Sequence, residues 1–190
     1  MSKPDEDCVV RCEWAGGSEM MREYHDLEWG TPVEGEAAMF ERLSLEAFQA
    51  GLSWATILGK RPAFREAFRD FDPEYCAGLS DRDIASLMEN QEIVRSRAKI
   101  EATRTNAAAT ISLRQEGGLE ALVEGFAPGT SPEPVVQADV PTRSAESAAL
   151  AGELHRRGFK FVGPTNMYAL MEAIGLVNTH LVTCFRRDET

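Results

Sequence analysis

The chain has 190 residues, 43% of them hydrophobic and 27% charged, and its 20 Lys and Arg against 31 Asp and Glu leave a net charge of −11. That is the composition of one folded domain, or a domain with an added lobe, which at this length buries about 70% of its unfolded surface without needing disulfides. No apolar run reaches the ~18–20 residues of a membrane span, and the opening MSKPDEDC lacks the basic and apolar regions of a secretory signal; a soluble intracellular protein without membrane contacts is expected, and its acidity argues against indiscriminate nucleic-acid binding.

Nearly every periodic signal is helical, which predicts an all-α fold. Met39, Leu43, Ala47 and Ala50 mark a helix from about Glu36, ended by Gly51. A short helix should begin near Ser53. Pro62 suits the first turn of a third, whose stripe Phe64, Ala67, Phe68, Phe71 runs to a break at Asp72-Pro73. Ser80 with Asp83 reads as a capping box for a helix through Ile84, Leu87 and Met88. After a turn at Gln91–Val94, a long helix is expected from Arg97 to Glu116, closed by Gly117-Gly118. Residues 127–142 carry four prolines and no period, as in a surface loop or a connector between lobes. Ser144 caps a helix to Arg157, and Thr165 caps another through Met167, Leu170, Met171 and Ile174 to Gly175.

The cysteines Cys8, Cys12, Cys76 and Cys184 are too few and scattered for a disulfide framework. Cys12 and His25 lie near the start, while His180 and Cys184, four residues apart near the end, would share one face of a helical turn. Two thiolates and two imidazoles complete a tetrahedral zinc shell with no open position, so such an ion would be structural and would tie the two ends of the sequence together. The spacing is equally compatible with a core histidine and a core cysteine, and Cys8 competes with Cys12. His155, beside Arg156-Arg157, reads as solvated, and Cys76 as packing.

Met39, Leu43, Glu46 and Ala50 advance by four, three and four residues, which puts the Glu46 carboxylate on an apolar face, where it is costly unless paired. Aromatic segments flank it: YHDLEWG at Tyr24–Gly30 and QAGLSW at Gln49–Trp54. One inward acid and several rings make a pocket. The competing reading pairs Glu46 with Arg42 and leaves Trp14, Trp29 and Trp54 in the core; Glu36 and Glu41 read as exposed.

Arg11-Cys12-Glu13-Trp14, YHDLEWG, LEAFQAGLSW at Leu45–Trp54, FDP at Phe71–Pro73, Arg97-Ala98-Lys99-Ile100, RRGFKFVGPT at Arg156–Thr165, and Tyr168 through GLVNTH to Cys184 together resemble the 3-methyladenine DNA glycosylase I family, a branch of the helix-hairpin-helix repair glycosylases. The resemblance implies a single unit over 1–190, with a zinc-containing terminal lobe of residues 1–35 and 127–190 and a helix-hairpin-helix lobe of residues 36–126. It implies structural zinc on Cys12, His25, His180 and Cys184. Glu46 becomes the catalytic carboxylate of the base pocket, with Tyr24 and Trp54 stacking on the extruded base and Trp14 and Trp29 shaping the cavity. Gly51 and Leu52 would lie at the DNA-facing tip. Double-stranded DNA containing alkylated adenine is the implied partner, with the protein a monomer in the cytoplasm acting at the nucleoid.

An N3-methylated adenine is a cation, so ring faces and an ionised Glu46 would prefer it to adenine. Only Lys3, Lys60, Lys99 and Lys160 are lysines, none in the cavity motifs, so water is the expected nucleophile and the enzyme monofunctional. Residues 1–50 hold 4 basic and 12 acidic groups but residues 51–100 hold 8 of each, and Arg95, Arg97 and Lys99 form a basic strip where the hairpin would grip phosphate. Arg156, Arg157 and Lys160 form a second strip. Non-specific DNA binding should be weak and salt-sensitive. The chain departs from the family pattern at Glu92, where the hairpin usually has glycine, at Met21, usually aromatic, and at Thr179, usually aspartate. Glu92 calls the tight turn into question, and Thr179 should loosen a contact behind the zinc ligands. The alternatives are a zinc-stabilised scaffold that binds DNA or a partner without excision, and a glycosylase of shifted alkyl-base specificity.

Overall fold

A computed structural model describes residues 9–189. Among them are helices α1 (Glu19–Leu27), α2 (Glu36–Gln49), α3 (Trp54–Phe68), α4 (Pro73–Ala77), α5 (Asp81–Glu89), α6 (Arg97–Leu113), α7 (Gly118–Glu124), α8 (Ala145–Arg156) and α9 (Pro164–Ala173), with no strand among the described residues. The all-α expectation holds. Caps explain many of the starts: side-chain oxygens of Ser18, Ser53, Asp72, Ser80 and Ser144 accept from backbone N–H groups of the turn that follows.

Four boundaries differ from expectation. Ser53 and Pro62 start one helix, not two: Pro62 sits inside α3. The proline removes one backbone bond, but Ile57 and Leu58 before it and Phe64 and Phe68 after it are buried, so packing holds both halves in one rod. Asp72-Pro73 breaks one helix and opens the next, since Asp72 caps α4 and Pro73 occupies a position that needs no N–H. The long helix α6 stops at Leu113 and tightens into a 3-10 turn over Arg114–Glu116 before Gly117 at φ 100°. In α9 the cap is Gly163, with Pro164 leading, rather than Thr165.

The centre of the molecule is α2, buried continuously from Met39 to Phe48 and packed on α9, α7, α3 and α6. Its Phe40 and Phe48 join Phe64, Phe68 and Phe71 in an aromatic core. Being buried all round, α2 carries two acids inside. Contrary to the exposed reading, Glu41 is buried and ion-paired with Arg65 at 2.8 Å, and Glu36 is half-buried and paired with Arg114 at 2.7 Å.

Two contacts bring the ends of the sequence to this centre. The Gly30 N–H donates to the Ala173 carbonyl at 3.2 Å, and a Cβ on Gly175 would fall 2.5 Å from the Gly30 oxygen. With Gly30 and Gly175 both at positive φ, no larger residue fits Gly175 without moving the Tyr24–Gly30 segment off α9. Between α5 and α6 the chain turns without any residue at positive φ, so Glu92 imposes no strain. Asn90 accepts from the Glu92 N–H at 2.9 Å, and the Lys60 ammonium donates to the Gln91 and Glu92 carbonyls at 3.2 and 2.9 Å. Local hydrogen bonds replace the glycine.

Candidate functional site

Cys12, His25, His180 and Cys184 converge, all buried, with their ligand atoms within 4.8 Å of one another, a group that could hold a metal ion. Cys8 lies outside the described residues. His180 Nδ1 is 3.7 Å from Cys12 Sγ and 3.5 Å from Cys184 Sγ, and His25 Nε2 is 3.4 Å from Cys184 Sγ. His180 and Cys184 are not on a helix, as their spacing suggested. They flank a tight turn in which the Cys184 N–H donates to the Leu181 carbonyl at 2.8 Å, so the turn rather than helical pitch brings imidazole and thiol together. The other ring nitrogen of His25 meets Asp26 Oδ1 at 2.7 Å, and Arg11 grips Asp26 in turn at 2.9–3.0 Å. A carboxylate behind a ligating imidazole fixes its tautomer and orientation. Burial, with the neighbouring Cys184, pushes the Cys12 thiol up to about 12, and burial, with the charges of His25, Arg186 and Arg187, pushes His180 down to about 3, which favours the neutral form of both.

Beside the cluster lies a cavity of about 420 Å³, within the range of small-molecule pockets, roughly 300–1,000 Å³. One wall is aromatic: Trp14, Tyr24, Trp29 and Trp54, with Tyr24 and Trp54 at 5.4 Å between ring centroids and Trp14 edge-on to Trp29 at 5.0 Å. Two of these rings are shared with the metal-ligand cluster, Trp14 packing on His25 at 5.2 Å and Trp29 on His180 at 4.4 Å. The pocket wall is therefore built on the cluster. Met21, the departure from the aromatic pattern, also lines the cavity, and the buried Trp54 Nε1 has no hydrogen-bond partner among the described residues.

Glu46 and Gln49 of α2 form the floor. Arg42 does not take Glu46; it and Arg61 ion-pair with Glu28. The Glu46 carboxylate accepts no hydrogen bond among the described residues, while its backbone carbonyl receives the Asn166 amide at 2.8 Å, tying α2 to α9. Burial first, then the charge of Glu172, against Arg42, push Glu46 up to about 8. The group expected ionised is thus protonated at neutral pH when no cation is beside it.

The opposite wall was not legible as such in the sequence. Thr165, Tyr168, Ala169, Glu172 and Ala173 recur at three- and four-residue steps along one face of α9, all on the cavity. Glu172 accepts from the Thr179 hydroxyl at 2.5 Å, so Thr179 turns to the pocket and serves a carboxylate there. The proline-rich stretch contributes Gln137, Val140, Pro141 and Thr142. Expected as a surface loop or connector, it is pinned by Ser131 accepting from the Asn178 N–H at 2.9 Å and Pro134 accepting from the Val182 N–H at 2.9 Å. The missed signal in α9 was an acid inside an apolar helix, the same cue that singled out Glu46.

The remaining expected residues lie elsewhere. Gly51, at φ 83°, and Leu52, 39% exposed, form an outward tip between α2 and α3. Arg95 and Arg97 are exposed, with Arg97 3.5 Å from Glu101. Lys99 points inward and donates to the Phe48 and Ala50 carbonyls at 2.8 and 2.6 Å, holding the end of α2 that carries the tip; its charge is spent on the protein. In the second basic strip Arg156 pairs with Glu153, and Arg157 with Glu153 and Glu116, while Lys160 is exposed. His155 is exposed and Cys76 buried, as expected.

Residues 14–187 match the family model of methyladenine glycosylases. A DNA-3-methyladenine glycosylase of Haemophilus influenzae is 40% identical over 93% of this chain and 97% of its own, and DNA-3-methyladenine glycosylase 1 of Escherichia coli K12 is 41% identical over 93% and 96%. The solved structure of 3-methyladenine DNA glycosylase I from Staphylococcus aureus, determined for its recognition of 3-methyladenine, superimposes with a TM-score of 0.88 at 33% identity over 95% of this chain and 98% of that one. Fold, pocket and sequence agree: the chain belongs to the 3-methyladenine DNA glycosylase I family.

Proposed function

We propose that this protein is a monofunctional DNA glycosylase that flips 3-methyladenine out of alkylated duplex DNA and hydrolyses its glycosidic bond, the first step of base excision repair. One observation carries the reading: a buried carboxylate without a partner, Glu46, opens into a cavity walled by Tyr24, Trp54, Trp14 and Trp29. A carboxylate left unpaired in an apolar site is destabilising, and a cationic base relieves it. As the base enters, its positive charge draws Glu46 into the ionised form, where it accepts from the exocyclic amine. Ring faces add roughly 0.5–2 kcal/mol per desolvated cation contact. Adenine, being neutral, leaves Glu46 protonated and gains neither term.

The methylated base is already a good leaving group, so the protein supplies extrusion, charge stabilisation and a place for water. Extrusion costs about a few kcal/mol in lost stacking. Gly51 and Leu52 at the exposed tip fill the gap left in the duplex, while the α5–α6 hairpin with Arg95 and Arg97 grips the phosphates. Lys99 acts by holding the tip in place rather than by touching DNA. No lysine lines the cavity among the described residues, so water is the nucleophile and no Schiff base forms.

Zinc is the ion we assign to the Cys12, His25, His180 and Cys184 cluster. A tetrahedral zinc with Zn–S of about 2.3 Å and Zn–N of about 2.0–2.1 Å would need S···N separations of about 3.5 Å, and three such separations in the cluster are 3.4, 3.5 and 3.7 Å. Four protein donors leave no open position, so the ion is structural and braces Trp14 and Trp29. We read the molecule as a monomer of two lobes, residues 36–126 carrying the helix-hairpin-helix and residues 1–35 with 127–190 the zinc, working on DNA in the cytoplasm.

Incubation with methylated duplex DNA, followed by chromatography of the freed bases, tests the reading. Release of 3-methyladenine is expected. Release of other alkylated bases alone would move the specificity, no release would leave a scaffold, and a borohydride-trapped covalent adduct would contradict the monofunctional mechanism.

A further inference from the structure

The pocket contains a second acid that base recognition by Glu46 does not use. Glu172 projects from the α9 face that forms the wall, is half-buried, and is held by the Thr179 hydroxyl at 2.5 Å. It lines the same cavity as Glu46, and its charge adds to burial in raising the Glu46 carboxyl. We propose that Glu172, locked in place by Thr179, is a specificity-determining residue that gives the pocket a second negative wall and selects permanently cationic purines over neutral ones of the same shape. This rests on the glycosylase reading and names the feature of the base that the site measures.

The argument is one of cost and use. Burial pushes Glu172 up to about 7 even though the hydrogen bond from Thr179 works against burial. Two interacting acids in one cavity disfavour their joint ionisation, and a cation placed between them removes that penalty for both. A neutral purine removes it for neither. Glutamine at 172 would keep the shape and still accept from Thr179 but could not respond to charge. Thr179 has a matching logic: its hydroxyl fixes one carboxylate oxygen and so holds the acid at the cavity wall that both residues line.

The test uses the full-length zinc-loaded protein and two small probes, 3,9-dimethyladeninium, a fixed cation, and 9-methyladenine, its neutral counterpart, with binding measured by tryptophan fluorescence at pH 7.5. The parent should prefer the cation. Glu172→Gln should reduce that preference about tenfold while leaving the neutral probe's affinity unchanged. Thr179→Val, which keeps the carboxylate but frees it, should reduce it about threefold and supplies the answer if the first variant does not fold. Equal weakening of both probes would mean Glu172 only supports the wall, and an unchanged preference in either folded variant would overturn the proposal. Base release by the parent from methylated DNA is scored separately: a parent that discriminates the probes but releases nothing refutes the glycosylase reading and not this one.

Discussion

Glu41 and Glu46 lie little more than one turn apart on α2, both under 10% exposed, and the helix treats them in opposite ways. Glu41 is closed off by the Arg65 guanidinium with contacts of 2.8–3.1 Å. Glu46 is left without a hydrogen bond among the described residues, on the floor of a cavity, pushed up to about 8. Burial of an acid is therefore not the mark of a site. What separates the two carboxylates is the missing partner: Glu41 has its compensation inside the protein, and Glu46, in the role proposed for it, would find it in a ligand.

The largest expected effect removes the cluster on which the aromatic wall of the pocket is built. If the cluster holds the proposed zinc, His180→Ala should lose it, lower stability by more than ~4 kcal/mol, and abolish base release, because Trp29 loses the ring it packs against. Thermal melting with metal analysis checks this; a stable metal-free variant that still excises would separate cluster from pocket. Next, Glu41→Gln should cost roughly 1–2 kcal/mol through the weakened Arg65 pair yet leave base selectivity intact. Denaturant titration and base chromatography on the same preparation show whether the two acids divide stability from function.

The comparison sharpens further with pH. Glu46 sits near 4.5 unfolded and about 8 folded, so the folded protein binds the extra proton between those values and stability falls as pH rises through that window. Glu46→Gln escapes the loss. Its melting temperature should exceed the parent's at pH 8 and above, by about 2 kcal/mol or more in stability at ~1.4 kcal/mol per unit of displacement, and the gap should close below pH 4.5. The smallest effect belongs to the hairpin: Arg97→Ala should weaken duplex binding a few-fold and reduce the salt dependence by about one counterion, without altering which base is released.

Much of this was legible in the sequence because it rests on periodicity. The apolar run of α2 exposed Glu46 as misplaced, and capping serines marked α5 and α8. Glu172 carried the same mark on α9 but lacked flanking aromatics, and its partner Thr179 lies on a separate loop, so only folding brings the two together. Residues 127–142 show no period, and their part in the pocket wall depends on contacts with Asn178 and Val182 that no local pattern encodes. Pro62 misled for a related reason: helix propensity is local, whereas the burial that carried α3 through it is not. Lys99 looked like a phosphate ligand because charge can be read from sequence and the direction of a side chain cannot.

Excision of 3-methyladenine from methylated duplex by the parent and by Glu46→Gln, each at matched metal content and helicity, tests the role of the unpaired carboxylate most directly. Release by the parent and a loss of at least about 100-fold in the variant is the predicted result; equal rates of release by the two proteins would contradict it.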